Sequence, residues 1–360
     1  MKLVVLIASI AILMSCSKKN YSLSESNGVK IYQNKNIVID STFTYEFTEL
    51  FTISDKSADN FSFEGNYSNP NYIKVDNMNN LYLIDYKQMS IFKFDSQGQY
   101  CLNFGKKGQG PGEFNNGANI SFYRDTLFVT DFDWISKFDF DGYYYYRKSL
   151  TNNFPREFYE FGKSIFSIHH ANGFHMTKEQ KMLKVVIKRN VTVLDTLFKL
   201  KKDIVKNEIE KSNIESSGDA MELNKNIFAF SEDRFYLAEV SKDKYEINAY
   251  DENGDLKEKL LRSYMKVPYK NESTNEDANQ ETRYKLSISK LDVDKYKNLL
   301  VRTPSEDNSE IYDIYKDNIL YAKVKLENFL FFKNDRAYFY DSETNELKVY
   351  TYTISPKLNN

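Results

Sequence analysis

At 360 residues, with 49 Lys and Arg against 51 Asp and Glu scattered along it, the chain is close to neutral and carries no basic footprint for nucleic acid. A mean hydropathy of -0.60 excludes a polytopic membrane protein. The two cysteines, Cys16 and Cys101, form neither a CxxC pair nor a zinc-type spacing, which excludes a cysteine-based metal site, while 28 Tyr and 27 Phe lean the composition toward half-buried β-structure.

The first element is an address. Lys2 is followed by an apolar run, Leu3 to Met14, too short to span a bilayer as a helix but suited to the h-region of a signal peptide. Leu13-Met14-Ser15-Cys16 resembles the bacterial lipobox, in which a small residue precedes an invariant cysteine. That resemblance implies a signal peptide over residues 1–15, cleavage before Cys16 and acylation of its thiol. Membrane lipid then becomes a partner, since each buried CH₂ contributes about 0.8 kcal/mol and two or more chains make anchoring stable. Residues 16–41 are expected as a lipidated tether and lead-in, with Ser17–Gly28 polar. Cys101 is left as a buried thiol in a strand.

Next comes "TFTYEFTELFTIS", Thr42 to Ser54, a strand by its alternation that belongs to no neighbouring unit. Asn71 to Gly105 then reads as four short strands, "YIKVD", "LYLID", "SIFKFD" and "YCLNFG", with Asn, Asp or Gly in each turn. The pattern returns over 119–150, begins again over 158–174 with "MLKVVIKR" and "TVLDTLFKL" continuing it, and recurs over 227–261, 288–326 and 328–354. The last copy has only three strands. Two polar segments, 201–225 (with a brief helical period in Ile204, Ile209 and Ile214) and 266–285, read as surface insertions. Six copies of a four-stranded antiparallel unit predict an all-β, six-bladed β-propeller over 42–355, with a short tail over 356–360. The Thr42–Ser54 strand would complete the sixth blade and close the ring, because an open ring exposes two sheet edges.

The repeat resembles the NHL-type propellers, and more closely the six-bladed propeller lipoproteins of Bacteroidetes, most clearly over Asn71–Phe114. Surface-exported lipoproteins of that group resemble an acidic pattern after the cysteine. Here the segment is the basic Ser17-Lys18-Lys19-Asn20, so the resemblance implies an outer-membrane anchor facing the periplasm.

"FGKKGQGPGEFNN", from Phe104, superficially looks like a phosphate loop, but a strand rather than a helix follows it. It is expected to turn the corner between blades one and two: Gly108, Gly110 and Gly112 supply permissive backbone, Pro111 fixes one φ, and Glu113 and Phe114 pin the loop.

Aligning the second strands gives a polar column of Asp85, Asp131, His169, Glu239, Arg302 and Asp341. A ring of such groups at one channel mouth could hold a polar ligand, and the carboxylate oxygens would suit a divalent cation such as Ca²⁺. The plainer reading is that each carboxylate caps a turn. His169, His170 and His175 cluster, but adjacent strand residues point to opposite faces and do not readily share a metal. Trp134 and Tyr143–Tyr146 fit either inter-blade packing, which is expected, or a sugar- or protein-binding patch. No GxSxG nucleophile is present, and Arg302 in the column would repel a cation. The reading is a membrane-anchored binding module with no resident cofactor and a protein, peptide or glycan partner. The alternative is a metal-dependent hydrolase or lyase, lactonase-like, with channel-mouth carboxylates.

Overall fold

A computed structural model describes residues 19–63, 72–115, 119–131, 134–149, 157–176, 183–212, 227–269 and 284–356. They form six antiparallel blades arranged as a propeller. Blade one is β4 (Ile73–Val75), β5 (Leu81–Asp85), β6 (Ser90–Phe94) and β7 (Tyr100–Phe104). Blade two is β8 (Asn119–Tyr123), β9 (Thr126–Asp131), β10 (Trp134–Asp139) and β11 (Tyr144–Ser149). Blade three is β12 (Glu157–Phe161), β13 (Ser164–Met176), β14 (Leu183–Leu194) and β15 (Leu200–Ser212). Blade four is β16 (Phe228–Phe230), β17 (Phe235–Ala238), β18 (Tyr245–Tyr250) and β19 (Leu256–Arg262). Blade five is β20 (Lys290–Val293), β21 (Leu299–Thr303), β22 (Ile311–Lys316) and β23 (Ile319–Lys325). Blade six is β24 (Phe329–Lys333), β25 (Arg336–Asp341), β26 (Glu346–Pro356) and, from the start of the chain, β3 (Phe43–Ile53).

The hairpins follow a local rule that a sequence can carry. Asp95, Asp139, Asp195 and Asp251 each open the turn between the third and fourth strands of their blade by accepting two backbone N–H bonds, from the second and fourth residues ahead, at 2.8–3.0 Å. The residue between those donors is left-handed: Gly98, Gly142, Phe198 and Gly254. Asp76 and Asp294 do the same in the first hairpins of blades one and five, with Asn80 and Asn298 also donating from their side chains at 2.8 Å. A carboxylate that satisfies turn amides removes the donors that would otherwise compete with the strand ladder.

Between blades lie separate apolar clusters, one at each interface. Ile53, Leu347 and Val349 of blade six meet Leu81, Leu83, Phe92 and Phe94 of blade one. Tyr82, Ile84 and Ile91 meet Leu127, Val129 and Phe138 across the next interface. Among the described residues, the interface of blades two and three holds the smallest cluster, Phe128, Ile135, Phe158, Ile165 and Leu194. Each fully buried Leu or Phe contributes about 2 kcal/mol, so both faces of every blade must be covered, and a ring does this. Blades four and five carry an added lock: Arg262 meets Asp313 at 2.5 Å, Tyr245 donates to the same carboxylate at 3.2 Å, and Tyr315 donates to Tyr245 at 2.9 Å.

The ring closes as expected from the first strand: β3 runs antiparallel to β26 from Phe43 opposite Pro356 to Ile53 opposite Leu347. The segment before it departs from the expected tether. β1 (Tyr21–Ser26) and β2 (Val29–Asn34) form a hairpin, and β2 adds in parallel to β19, giving blade four six strands. The link from β2 to β3 crosses blade five, where Ile39 and Asp40 donate their N–H groups to Tyr321 O at 2.8 and 2.9 Å. Buried Asn34 donates to Asn318 O at 3.0 Å and accepts from Leu320 N at 2.9 Å. Residues 19–53 therefore belt blades four, five and six together. The polar run read as an insertion from Lys201 is a strand as far as Ser212, because β15 pairs with a long β14 whose strand continues unbroken through Arg189 and Asn190. Cys101 lies in a strand as expected but is exposed, since β7 is the outer strand of its blade. Residues 213–226 and 270–283 lie outside the described residues.

Candidate functional site

In a four-stranded antiparallel meander the second and fourth strands run the same way. The ends of β5, β9, β17, β21 and β25 therefore share one face of the disc with the corner after β7. Asp85, Asp131 and Asp341 end their strands there, Arg302 is next to last in β21, and Glu239 follows β17. The side chains of Asp85, Asp131, Asp341 and Arg302 have local partners. Asp85, buried, accepts from Lys87 N at 2.9 Å, Gln88 N at 3.0 Å and Gln88 Nε2 at 2.9 Å. Asp131, also buried, accepts from Asn115 N at 2.6 Å and faces Arg147 at 3.9 Å. Asp341 accepts from Glu343 N and Thr344 N, and those amides hold its carboxyl below the ordinary aspartate range. Arg302 pairs with Glu310 at 2.7 Å. Glu239 is exposed and tied through its backbone N–H to Glu246 O. His169 lies in β13 opposite Asn190, and the side chains of His169, His170 and His175 fall outside the described residues, as does Cys16. Among the described residues, no group of three or more His, Cys, Asp or Glu is placed to hold a metal ion.

The glycine-rich corner is built around its own anion. Gly110 N donates to Glu113 Oε2 at 2.8 Å and Lys106 Nζ meets Oε1 at 3.1 Å. The amide bond from Gly110, then Lys106, holds the Glu113 carboxyl below the usual range. Gly108 N donates to Phe114 O and Phe114 N to Lys106 O, each at 2.9 Å, while Phe114 is buried between blades one and two. A Cβ on Gly108 would collide with the Glu113 carboxylate, and one on Gly105, at φ +79°, with the Phe114 ring. The place a phosphate would take is filled by the chain itself. Pro111 and Gly112 complete the turn, with Gly112 at φ +74° beside Tyr144.

Two further clusters stand out, of which the first escaped the sequence reading. On the axis, Lys74 of β4 meets Glu157 of β12 at 3.1 Å, and Tyr159 donates to the same carboxylate oxygen at 2.5 Å. Burial and that carboxylate push the Tyr159 hydroxyl well above its ordinary range. Lys333 of β24 stands near Asp76 and Lys74, and burial lowers its ammonium. On β20, Lys290 donates to Phe329 O at 2.8 Å, while Asp292 accepts from Phe332 N at 3.0 Å, so two side chains satisfy the inner edge of blade six. The available signal was a charged residue within the first strand of blades one, three, five and six, whereas the first strands of blades two and four carry none.

The second cluster is the outer edge of blade two. Trp134 is 42% exposed, and Tyr143, Tyr145 and Tyr146 are 66%, 50% and 37% exposed. These four do not pack between blades as expected, whereas Tyr144 packs partly against the core of blades one and two. Cations sit on the rings: Arg147 is 4.6 Å from Trp134, Lys137 5.4 Å from Tyr145 and Lys148 4.9 Å from Tyr146. Arg147 also donates to Gln109 O at 2.8 Å, joining this edge to the glycine-rich corner.

Six radially packed blades, each with a four-stranded antiparallel meander and the ring closed by a strand from the start of the chain, define a β-propeller, a fold consistent with a binding or interaction module. The sequence matches the family described as 6-bladed beta-propeller over residues 17–225, and the chain belongs to that family. It is similar in fold to a putative exported protein of Bacteroides fragilis, at 14% identity and a TM-score of 0.48 over 91% of this chain and 100% of that one. It is also similar to virginiamycin B lyase of Staphylococcus aureus, at 10% identity and a TM-score of 0.42 over 86% and 99%, and to the calcium-binding protein regucalcin of Agrobacterium tumefaciens, at 8% and 0.38 over 77% and 88%. No curated protein matches the sequence.

Proposed function

We propose that this chain is a lipid-anchored, exported binding module of the bacterial envelope that docks a protein partner along the outer edge of blade two. The carrying observation is the exposed Trp134, Tyr143, Tyr145 and Tyr146 with Lys137, Arg147 and Lys148 laid against the rings. Trp, Tyr and Arg dominate protein–protein hot spots, because they offer large, stiff contact area with a polar handle. The cations fit an acidic partner segment. β11 is the last strand of its sheet, and an edge strand is a template for a further strand. The chain itself uses that mode where β2 joins β19. Anchoring and export rest on the apolar run Leu3–Met14 and the lipobox-like Leu13–Cys16, and the basic Lys18-Lys19 favours the periplasmic side of the outer membrane.

The competing reading, a metal-dependent hydrolase or lyase, asks Asp85 and Asp341 to leave amides they already bind. A photo-crosslinking residue at Tyr145, with a control at exposed Leu200 on the outer strand of blade three, tests the proposal in cells. The expected result is a discrete protein adduct at position 145 alone, lost when Trp134→Ala and Tyr146→Ala are combined with it. Equal, diffuse labelling at both positions would remove blade two as the docking edge.

A further inference from the structure

We infer that the rim of blades four and five is seated on the bilayer surface through Lys19, Lys35, Ile37 and Ile39, an inference that rests on the acylation of Cys16 proposed above. The structure pins the chain almost to the anchor. Lys35 N donates to Asn20 O at 2.8 Å and Lys35 Nζ to Lys19 O at 3.0 Å, so the chain is held to blade four from Lys19 onward. Only Ser17 and Lys18 separate Lys19 from Cys16, and three peptide steps reach at most about 11 Å. An acyl group on Cys16 enters the bilayer at headgroup depth, so that rim cannot stand away from the membrane.

What the rim presents there suits a lipid interface. Val38 packs inward against the core of blades four and five, while its neighbours Ile37 and Ile39 are 53% and 56% exposed. The two backbone bonds to Tyr321 O fix a bend at Ile39 against blade five, and both isoleucines remain exposed. Lys19 and Lys35 are exposed beside them and complement anionic headgroups. Asp40, the acid of the strap, is turned to Thr42 N and Oγ1 at 2.8 and 2.7 Å. Because β2 runs parallel to β19, with Asn34 opposite Arg262, the anchored end lies beside the C-terminal end of β19 and the β22–β23 hairpin of blade five.

The test uses the full chain purified with its lipid and reconstituted in vesicles of phosphatidylethanolamine and phosphatidylglycerol. On a Cys101→Ser background, a fluorophore is placed at Ile37→Cys or at Tyr143→Cys, the latter in the β10–β11 hairpin of blade two, across the ring from blade five, and headgroup-proximal spin-labelled lipid is the quencher. The expected result is quenching at position 37 and none at 143, with weaker quenching at 37 in Lys19→Glu/Lys35→Glu. Acylated protein with no quenching at 37 would overturn the seating while leaving the anchor intact. Mass spectrometry finding an unmodified Cys16 would overturn the anchor and the seating with it.

Discussion

Lys74 on the innermost strand of blade one and Glu157 on the innermost strand of blade three meet at 3.1 Å, although blade two stands between them in the ring. The pair is largely buried, with side-chain exposures of 15% and 8%, and Tyr159 shares its carboxylate. Glu157→Ala leaves a cation in a desolvated channel and is expected to cost about 3–5 kcal/mol, whereas Lys74→Met/Glu157→Leu is expected to be near neutral. Denaturant unfolding of the singles and the double measures this. A near-neutral single substitution would mean that channel water already satisfies Lys74.

The buried pair on β20 predicts a pH signature. Burial pushes Asp292 up to about 7 and pulls Lys290 down to about 8, each opposed by the charge of the other. An aspartate raised in the folded state is protonated there while the unfolded chain has already ionised, so its contribution falls as pH rises from about 4 to about 7. A lysine lowered in the folded state gives the opposite slope, with stability rising from about 8 toward 10.5. The difference in melting temperature between the wild type and Lys290→Met/Asp292→Asn is expected to be largest near neutrality and to shrink toward pH 4. A difference flat with pH would show that the pair is solvated.

Asn34 tests the belt. Its amide joins β2 to blade five through Asn318 O and Leu320 N. Asn34→Ala is expected to lose about 1–3 kcal/mol through the buried groups left unpaired. Hydrogen exchange is expected to speed in β1, β2 and the outer strand β23 before the inner strands. Uniform acceleration throughout the ring would show that the hairpin does not act as a separate unit.

Asp85 separates turn capping from metal binding. Asp85→Ala is expected to lower stability by about 1–3 kcal/mol, because Lys87 N and Gln88 N lose their acceptor. EDTA or Ca²⁺ is expected to move neither melting curve. A Ca²⁺-dependent rise that vanishes in Asp85→Ala would restore the metal reading.

Much of this architecture was legible because it is local. A two-residue alternation and an Asp-capped turn with a left-handed residue three positions on recur from blade to blade, that residue being Gly98, Gly142, Gly254 or Asn79 in four turns and Phe198 and Lys297 in two, and each is set by nearest neighbours in sequence. The closing strand was legible for a related reason: the sixth copy lacked one strand, and Phe43–Ile53 had the alternation to supply it. The carboxylate column shows where such reading loses force. Asp85 and Asp341 look the same in sequence whether they cap turns or line a site, because both uses need a carboxylate at a strand end.

Sequence alone therefore determined the number of blades, the ring closure and the corner made by Gly108–Phe114, since these follow from periodicity and backbone sterics. Only the tertiary structure decided which side chains meet across the ring or stay on its rim. Lys74 finds Glu157 from 83 residues away, and Asn34 finds Leu320 from 286, separations at which no local pattern carries information. The exposure of Trp134 and Tyr145 was equally undecidable in advance, because an aromatic in an alternating strand packs inward or faces out according to whether a neighbouring blade covers that strand.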